Sequence, residues 1–312
     1  MKSFLITMLI VLATSTIAGM AQDSTKKDTV KDDEGYWDGG KGKFGWHFIH
    51  KKSKFFSEYP FIEVNYGMDV PNMNKDKYKG TFTKTNSFDI KLGHSELRNS
   101  GLDSNILKFE NHYVFFSKMA PGLGSERQKD LETAVDAIGF GIGGNDGYGY
   151  KFSNTSNILF YYGSGLSWTK LNFKYPDSTK VVSNELQSRF YTGRFGDSYR
   201  FGEYYDGGVK INLFRHLSLN ASYQRYDVFE RHMFWYWVGS KCIEEIGQHL
   251  VDEFAEKIGK SSPYAMPVVS FVLKNALAYG LYELRTKNMN WPISTAAPFT
   301  FDSFKFGVTL NF

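Results

Sequence analysis

Four groups of residues have types or spacing that could do chemistry. His216 and Ser218 stand two apart in HLSLN, and Glu203 lies on the preceding predicted strand. A histidine beside a serine, with a carboxylate in reach, is the arrangement of a serine hydrolase, where the imidazole takes the hydroxyl proton. His94 and Glu96 flank Ser95 and repeat those residue types in a segment that reads as a link. His47 and His50 are three apart, with no nearby cysteine or second carboxylate pair, so no metal site is expected there. GFGIGGNDGYG, residues 139–149, is rich in glycine. It lacks the GxxxxGK pattern and the strand-then-helix context of a phosphate cradle, and reads as a strand with a small inner face followed by a turn. No cofactor follows from any of these groups.

The elements that must position these residues are strands. YPFIEVNYGMDV puts Ile62, Val64, Tyr66 and Met68 on one face and Glu63, Asn65 and Gly67 on the other. TNSFDIKLGH sets Phe88, Ile90 and Leu92 against Ser87, Asp89, Lys91 and Gly93. NILKFENHYVFF sets Leu107, Phe109, Tyr113 and Phe115 against Lys108, Glu110 and His112, with Asn111 an exception on the apolar side. DAIGFGIGG alternates Ile138, Phe140 and Ile142 with glycines. NILFYYGSGLSWTKLNF, FGEYYDGGVKINLF, HLSLNASYQRYDVF and the terminal FDSFKFGVTLNF complete a set of eight.

Such strands suit either a sandwich, with polar faces turned to water, or a closed barrel in a membrane. Three features favour the barrel. The segments are mostly longer than the roughly 5–6 residues of soluble strands and match the roughly 9–11 of tilted membrane strands. Glycines crowd the polar face, where a small barrel has little room. The last strand ends the sequence and can close against the first, leaving no edge. The reading is an all-β transmembrane barrel of about eight antiparallel strands, over residues 59–312.

The flanks fit this reading. MKSFLITMLIVLATSTIAGMA reads as a signal peptide cut after Ala21, which leaves 312 − 21 = 291 residues. Residues 22–58 begin with a mixed-charge tract and read as a largely disordered periplasmic leader. No further apolar run is long enough for a membrane helix. The chain holds 28 Phe, 20 Tyr and 30 Gly against one Cys, so no internal disulfide is possible. A net charge of +4 gives no warrant for a nucleic-acid partner. FRH, residues 214–216, reads as a tight periplasmic turn, whereas the links on the other side are longer. SELRNSGLDS and GNDGYGYKFSNTS fit that parity poorly, being moderately long on the periplasmic side.

Before the last strand the period changes. Ile243, Ile246, Leu250, Phe254 and Ile258 recur at helical spacing, and PYAMPVVSFVLKNALAYGLYELR reads as a second helix. Pro263 and Pro267 suit its first turn. This insertion, 232–290, could lie flat on the outer leaflet with Phe234, Trp235, Tyr236 and Trp237 as interfacial anchors. It could instead fill the lumen as a plug, or form a small cap of two helices packed on each other.

Inside the barrel, Glu63, Asp89, Lys91, Lys108, Glu110, His112 and Lys210 are read as lumen-facing. Eight strands enclose room for little but side chains or one small ligand. Charges of both signs can pair across it and hold it shut.

With its signal peptide, alternating aromatic strands and terminal Phe, the chain resembles the outer-membrane β-barrel proteins of Gram-negative bacteria, particularly those of the Bacteroidetes type. In that group a C-terminal strand ending in an aromatic residue is the signal for barrel assembly, carried here by Phe304, Phe306, Leu310 and Phe312. The resemblance implies a place in the outer membrane, with its lipids and the barrel-assembly machinery as partners. It implies a structural, adhesive or ligand-binding role at the cell surface, for a ligand not identified by any motif. A narrow channel or transporter for a small or apolar solute is the second reading, and an outer-membrane lipid-modifying enzyme the third. His216 speaks against the third, because it adjoins the periplasmic turn, away from the outer-leaflet lipid.

Overall fold

A computed structural model describes residues 57–121, 132–175 and 189–312. The signal-peptide reading, nearly all of the leader, and His47 and His50 lie outside the described residues. Eight strands follow one another: β1 (Ser57–Met73), β2 (Thr85–Asn99), β3 (Ile106–Ala120), β4 (Ala134–Lys151), β5 (Asn157–Lys174), β6 (Arg200–Phe214), β7 (Leu217–Val228) and β8 (Phe299–Asn311). Each pairs antiparallel with its sequence neighbours, and β8 pairs with β1, so the sheet closes into a barrel rather than a sandwich. Closure satisfies every strand edge internally, which a segment surrounded by hydrocarbon requires.

The register fixes the tilt. Ile62 leads across successive pairs through Leu92, Val114, Ile142, Leu166, Glu203 and Asp227 to Thr300, yet Ile62 itself pairs with Leu310. The difference, 310 − 300 = 10, is the shear of the barrel. Such a stagger tilts strands from the axis, typically by about 35–45°.

Burial is inverted relative to a soluble protein. On the outer face Met68 is 58% exposed and Phe306 61%, whereas inward-pointing Glu63 and Lys305 are each 2% exposed. Ile62, Val64, Tyr66, Leu92, Val114, Phe140, Leu219 and Val308 continue the exposed apolar belt. Apolar-out, polar-in alternation is the pattern of a transmembrane barrel.

In β3 the sides are opposite to the expectation. Asp89 pairs with Ser117 and Lys91 with Phe115, and paired residues share a face. The odd-numbered residues therefore point inward: Phe109, Asn111, Tyr113 and Phe115 are buried. Lys108, Glu110 and His112 stand on the outer face instead of lining the lumen. The cause is that this stretch of lumen is filled by aromatic rings, so "apolar face outward" assigns the wrong side. Asn111 is thus one of a polar–aromatic inner set rather than an exception.

The two awkward links are also resolved. β2 continues to Asn99, so His94, Ser95 and Glu96 are strand residues and the turn spans only 100–105. β4 continues through GNDGYGYK to Lys151, leaving a turn of 152–156. Together with the two-residue link 215–216 these put short turns at one end, and the long connections 74–84, 121–133, 175–199 and 229–298 at the other.

The last connection carries α1 (Phe234–Ser261) and α2 (Met266–Arg285), joined by a 3₁₀ turn at Pro263–Ala265. Pro267 sits in the first turn of α2, where the missing amide has no intrahelical partner to lose.

Candidate functional site: a sealed lumen and a hairpin docked on the wall

The inner face is tied across its middle. Glu63 on β1 accepts hydrogen bonds from Lys210 of β6 (2.8 Å) and Thr309 of β8 (2.8 Å). Its other oxygen accepts one from Asn65 (3.1 Å) and lies 3.3 Å from the Lys91 ammonium. Lys91 in turn donates to Asp206 of β6 at 3.1 Å. Nearby, Lys305 pairs with Asp89, and Asp69 accepts from Ser87 (3.0 Å) and Ser303. Three lysines thus meet three carboxylates plus Asp69, all buried. Attraction between such pairs is strong where water is excluded, and each partner left alone would be costly.

Rings fill the space beside the charges. Tyr204 donates to Tyr113 (2.9 Å), which donates to Asn145 (2.9 Å), and Phe115 meets the Tyr204 ring edge-on at 5.0 Å. Gly143 and Gly165 face each other across β4 and β5, and a Cβ on either would collide with the Tyr204 ring. Gly143 of GFGIGGNDGYG therefore makes room for a lumen-filling tyrosine. At the long-connection end Phe82, Phe173, Phe195, Phe299 and Phe301 close the mouth, with Phe82 and Phe299 centroids 5.2 Å apart.

The helical hairpin neither fills the lumen nor lies flat across the barrel end. It stands against the outer wall. Near the long-connection end Trp237 of α1 donates to Glu203 of β6, and Lys241 lies 3.3 Å from the same carboxylate. Arg285 of α2 donates to Glu244 of α1 at 2.7 Å and to the hydroxyl of Tyr205, and Tyr162 of β5 donates to Glu244 at 3.2 Å. Midway, Lys274 of α2 pairs with Asp146 of β4 (2.5 Å) and Asp252 of α1 (2.8 Å). At the short-turn end the Tyr264 ring lies parallel to Tyr150 at 6.5 Å, and the Tyr150 hydroxyl donates to the Tyr264 carbonyl. Beside α2, Arg225 of β7 reaches Glu283 and Asp302, both at 3.2 Å, and lies 4.1 Å over the rings of Tyr279 and Tyr282.

These contacts follow the wall from end to end. With about 1.5 Å of rise per residue, 28 residues span about 42 Å and 20 residues about 30 Å, against a hydrocarbon layer of about 30 Å. The buried positions of α1 are Ser240, Glu244, Gln248, Ala255 and Gly259. Its apolar stripe, Ile243, Ile246, Leu250 and Phe254, is exposed, as are Val268, Val272 and Tyr279 of α2. The hairpin therefore repeats the barrel's own inversion. No helix among the described residues is long and apolar enough to cross a membrane by the hydropathy of its sequence. In α2, however, all three charged side chains, Lys274, Glu283 and Arg285, are engaged with α1 or the wall.

The sequence-predicted residues divide accordingly. Glu63, Asp89, Lys91 and Lys210 come together inside, whereas Lys108 and Glu110 form an outer ion pair (3.2 Å) with His112 exposed beyond them. Phe234, Trp235 and Tyr236 are exposed at the start of α1, but Trp237 turns to the wall. Phe304, Phe306, Leu310 and Phe312 are exposed on the terminal strand. The hydrolase set does not assemble. Ser218 is buried in the lumen against Asn311, and His216 bonds the Asn311 carbonyl at the short-turn end. Glu203 sits near the other end of β6, on the outer face. His94 and Glu96 point outward while Ser95 points in. Among the described residues no group of three His, Cys, Asp or Glu is placed to hold a metal ion.

Sequence reasoning passed over Asp206 and Lys305, although both occupy polar positions in alternating strands. It also passed over the docking set. The isolated Lys274 within VVSFVLKNALAYGLY was its visible signal, since a lone cation in an apolar helix needs a partner. His232, in the connection before α1, stacks on Phe201 at 4.2 Å. Burial there lowers its pKa from the ordinary histidine value, against the opposing pull of Glu203.

Neither a family model nor a curated protein matches the sequence. Solved structures of similar shape include the neisserial surface protein A, with 11% identity and a TM-score of 0.37, covering 82% of this chain and 99% of the other. They also include Ail, the attachment invasion locus protein of Yersinia pestis, with 7% identity and a TM-score of 0.32, covering 81% of this chain and 98% of the other. Ail in complex with the heparin analogue sucrose octasulfate aligns at 8% identity and a TM-score of 0.31, covering 82% and 99%.

Proposed function

We propose that this protein is an integral barrel of the Gram-negative outer membrane, akin to Bacteroidetes-type barrels in its terminal strand, and that it acts at the cell surface in a structural, adhesive or ligand-binding role. The observation that carries this reading is the pairing of an exposed apolar belt with an interior tied shut by Glu63, Lys91, Asp206 and Lys210. A wall that faces lipid around a lumen that conducts nothing leaves the ends of the barrel as the working surfaces. The long connections gather at one end, and in such barrels that end is extracellular. Lipids are the partners of the belt, and the barrel-assembly machinery is the partner of the strand ending at Phe312.

Two measurements test this together. An epitope placed at Lys77–Lys79 should be labelled on intact cells, and one at Ser153–Thr155 only after permeabilisation. The purified protein in a planar bilayer should give no steady current. Discrete conductance steps would replace the surface reading with the channel one, and reversed labelling would overturn the orientation.

A further inference from the structure

The outer wall has a gap in its apolar belt beside α1. Toward the short-turn end of β2–β4, the outward side chains change from Leu92, Val114 and Ile142 to Glu96, Arg98, Lys108, Glu110 and Asp146. α1 stands beside this gap and turns Glu253, Glu256 and Lys260 toward it. A cavity of about 330 Å³ between them is lined by Arg98, Lys108 and Lys260 along with Glu256, Tyr148 and Met266. A second, of about 210 Å³, shares Lys108, Tyr148 and Glu256 and adds the acidic Asp252 and Glu253. One half of the groove is thus basic and the other acidic.

Resting on the membrane reading above, we propose that this groove binds the headgroup of a zwitterionic phospholipid, one that carries a phosphate and a primary ammonium. Its depth matches: the groove lies at the level of the tight turns and the Tyr150–Tyr264 stack, where headgroups replace hydrocarbon. Lys108 brings three donors and pairs with Glu110 at 3.2 Å, so it can also meet a phosphate together with Lys260. Glu256 borders both cavities and accepts the ammonium. Above, beyond the outward pair His94 and His112, Leu92 and Val114 continue the same strands as exposed apolar wall, against which the acyl chains lie. Charges at a lipid-facing surface are stabilised when they find charged partners, and a headgroup supplies both signs at once.

The test uses the full mature chain in detergent, titrated with dilauroyl-phosphatidylethanolamine, dilauroyl-phosphatidylglycerol or soluble glycerophosphoethanolamine and read by native mass spectrometry. The ethanolamine lipid should bind about tenfold more tightly than the glycerol lipid, the effect of roughly one added charge-assisted bond. Lys108→Gln with Lys260→Gln should weaken both lipids, and Glu256→Gln should abolish only the preference. All three side chains are at least partly exposed, and the heat-dependent mobility of each variant checks that the barrel has formed. Equal binding of the two lipids, or variants that bind like the parent, would overturn the site. Soluble glycerophosphoethanolamine binding as tightly as the lipid would overturn its membrane source. A barrel that passes the mobility check but shows no preference loses this site alone, leaving the proposed function standing.

Discussion

The lumen and the seam beneath the hairpin both bury charge, yet the two regions are bound differently. In the lumen, Glu63, Lys91, Asp206 and Lys210 bridge strands that the closed hydrogen-bond ladder already holds. At the seam, Glu203, Glu244, Lys241 and Arg285 join elements with no backbone ladder between them. The buried residues of α1 are small or polar, and the apolar packing of the seam falls to α2, whose Ala278 and Tyr282 cluster with Tyr162 and Tyr205 of the wall. Buried pairs seldom add net stability over a hydrophobic replacement, but losing one partner is costly. The difference implies that lumen charges set the interior of a barrel that closes regardless, whereas seam charges, with the packing of α2, hold the hairpin on the wall.

The largest effect should come from breaking the lumen. Lys210→Met leaves Glu63 with Lys91 as its remaining cation, and should cost about 3–5 kcal/mol in denaturant unfolding from lipid vesicles. Adding Glu63→Gln should recover much of that loss, because no uncompensated charge then remains. If the single variant is as stable as the parent, the lumen is wetter than its burial indicates.

Breaking the seam should act locally. Arg285→Met strips Glu244 of its 2.7 Å partner and should weaken hairpin docking by about 1.5–3 kcal/mol. The expected sign is protease cleavage within 233–298 while the barrel keeps its folded gel mobility. Joint loss of both would mean that the hairpin and the wall form one cooperative unit. A smaller change is expected at the terminal strand. Phe312→Ala should lower the amount assembled in the outer membrane of cells, while refolded protein unfolds within about 1 kcal/mol of the parent. Least of all, Trp235→Ala, at a side chain 80% exposed, should shift stability by no more than about 0.5 kcal/mol. It should still remove tryptophan emission that brominated lipids quench.

Where one face of an element was plainly polar, the sequence was a good guide. The alternation in β1, β2, β7 and β8 placed Glu63, Asp89, Lys91 and the belt residues on the sides where they are found. It misled in β3, because Phe109, Tyr113 and Phe115 serve the interior as fillers, and polarity alone cannot separate a ring facing lipid from a ring filling a narrow lumen. In α1 the stripe Ile243, Ile246, Leu250 and Phe254 revealed a helix but not its orientation. A soluble helix would bury that stripe, whereas this one buries Ser240, Glu244 and Gln248 and exposes the stripe. The seam partners lie far apart in sequence, as Asp146 and Lys274 do, and only the closed register brings them together.

The most direct test of the inverted, closed barrel is the gel mobility of the purified protein, folded in detergent, with and without boiling. A closed ladder should resist dodecyl sulfate, so the unboiled protein should run apart from the boiled one. Identical mobility in both lanes, from a protein that stays soluble without detergent, would contradict a lipid-facing wall and with it the membrane function proposed above.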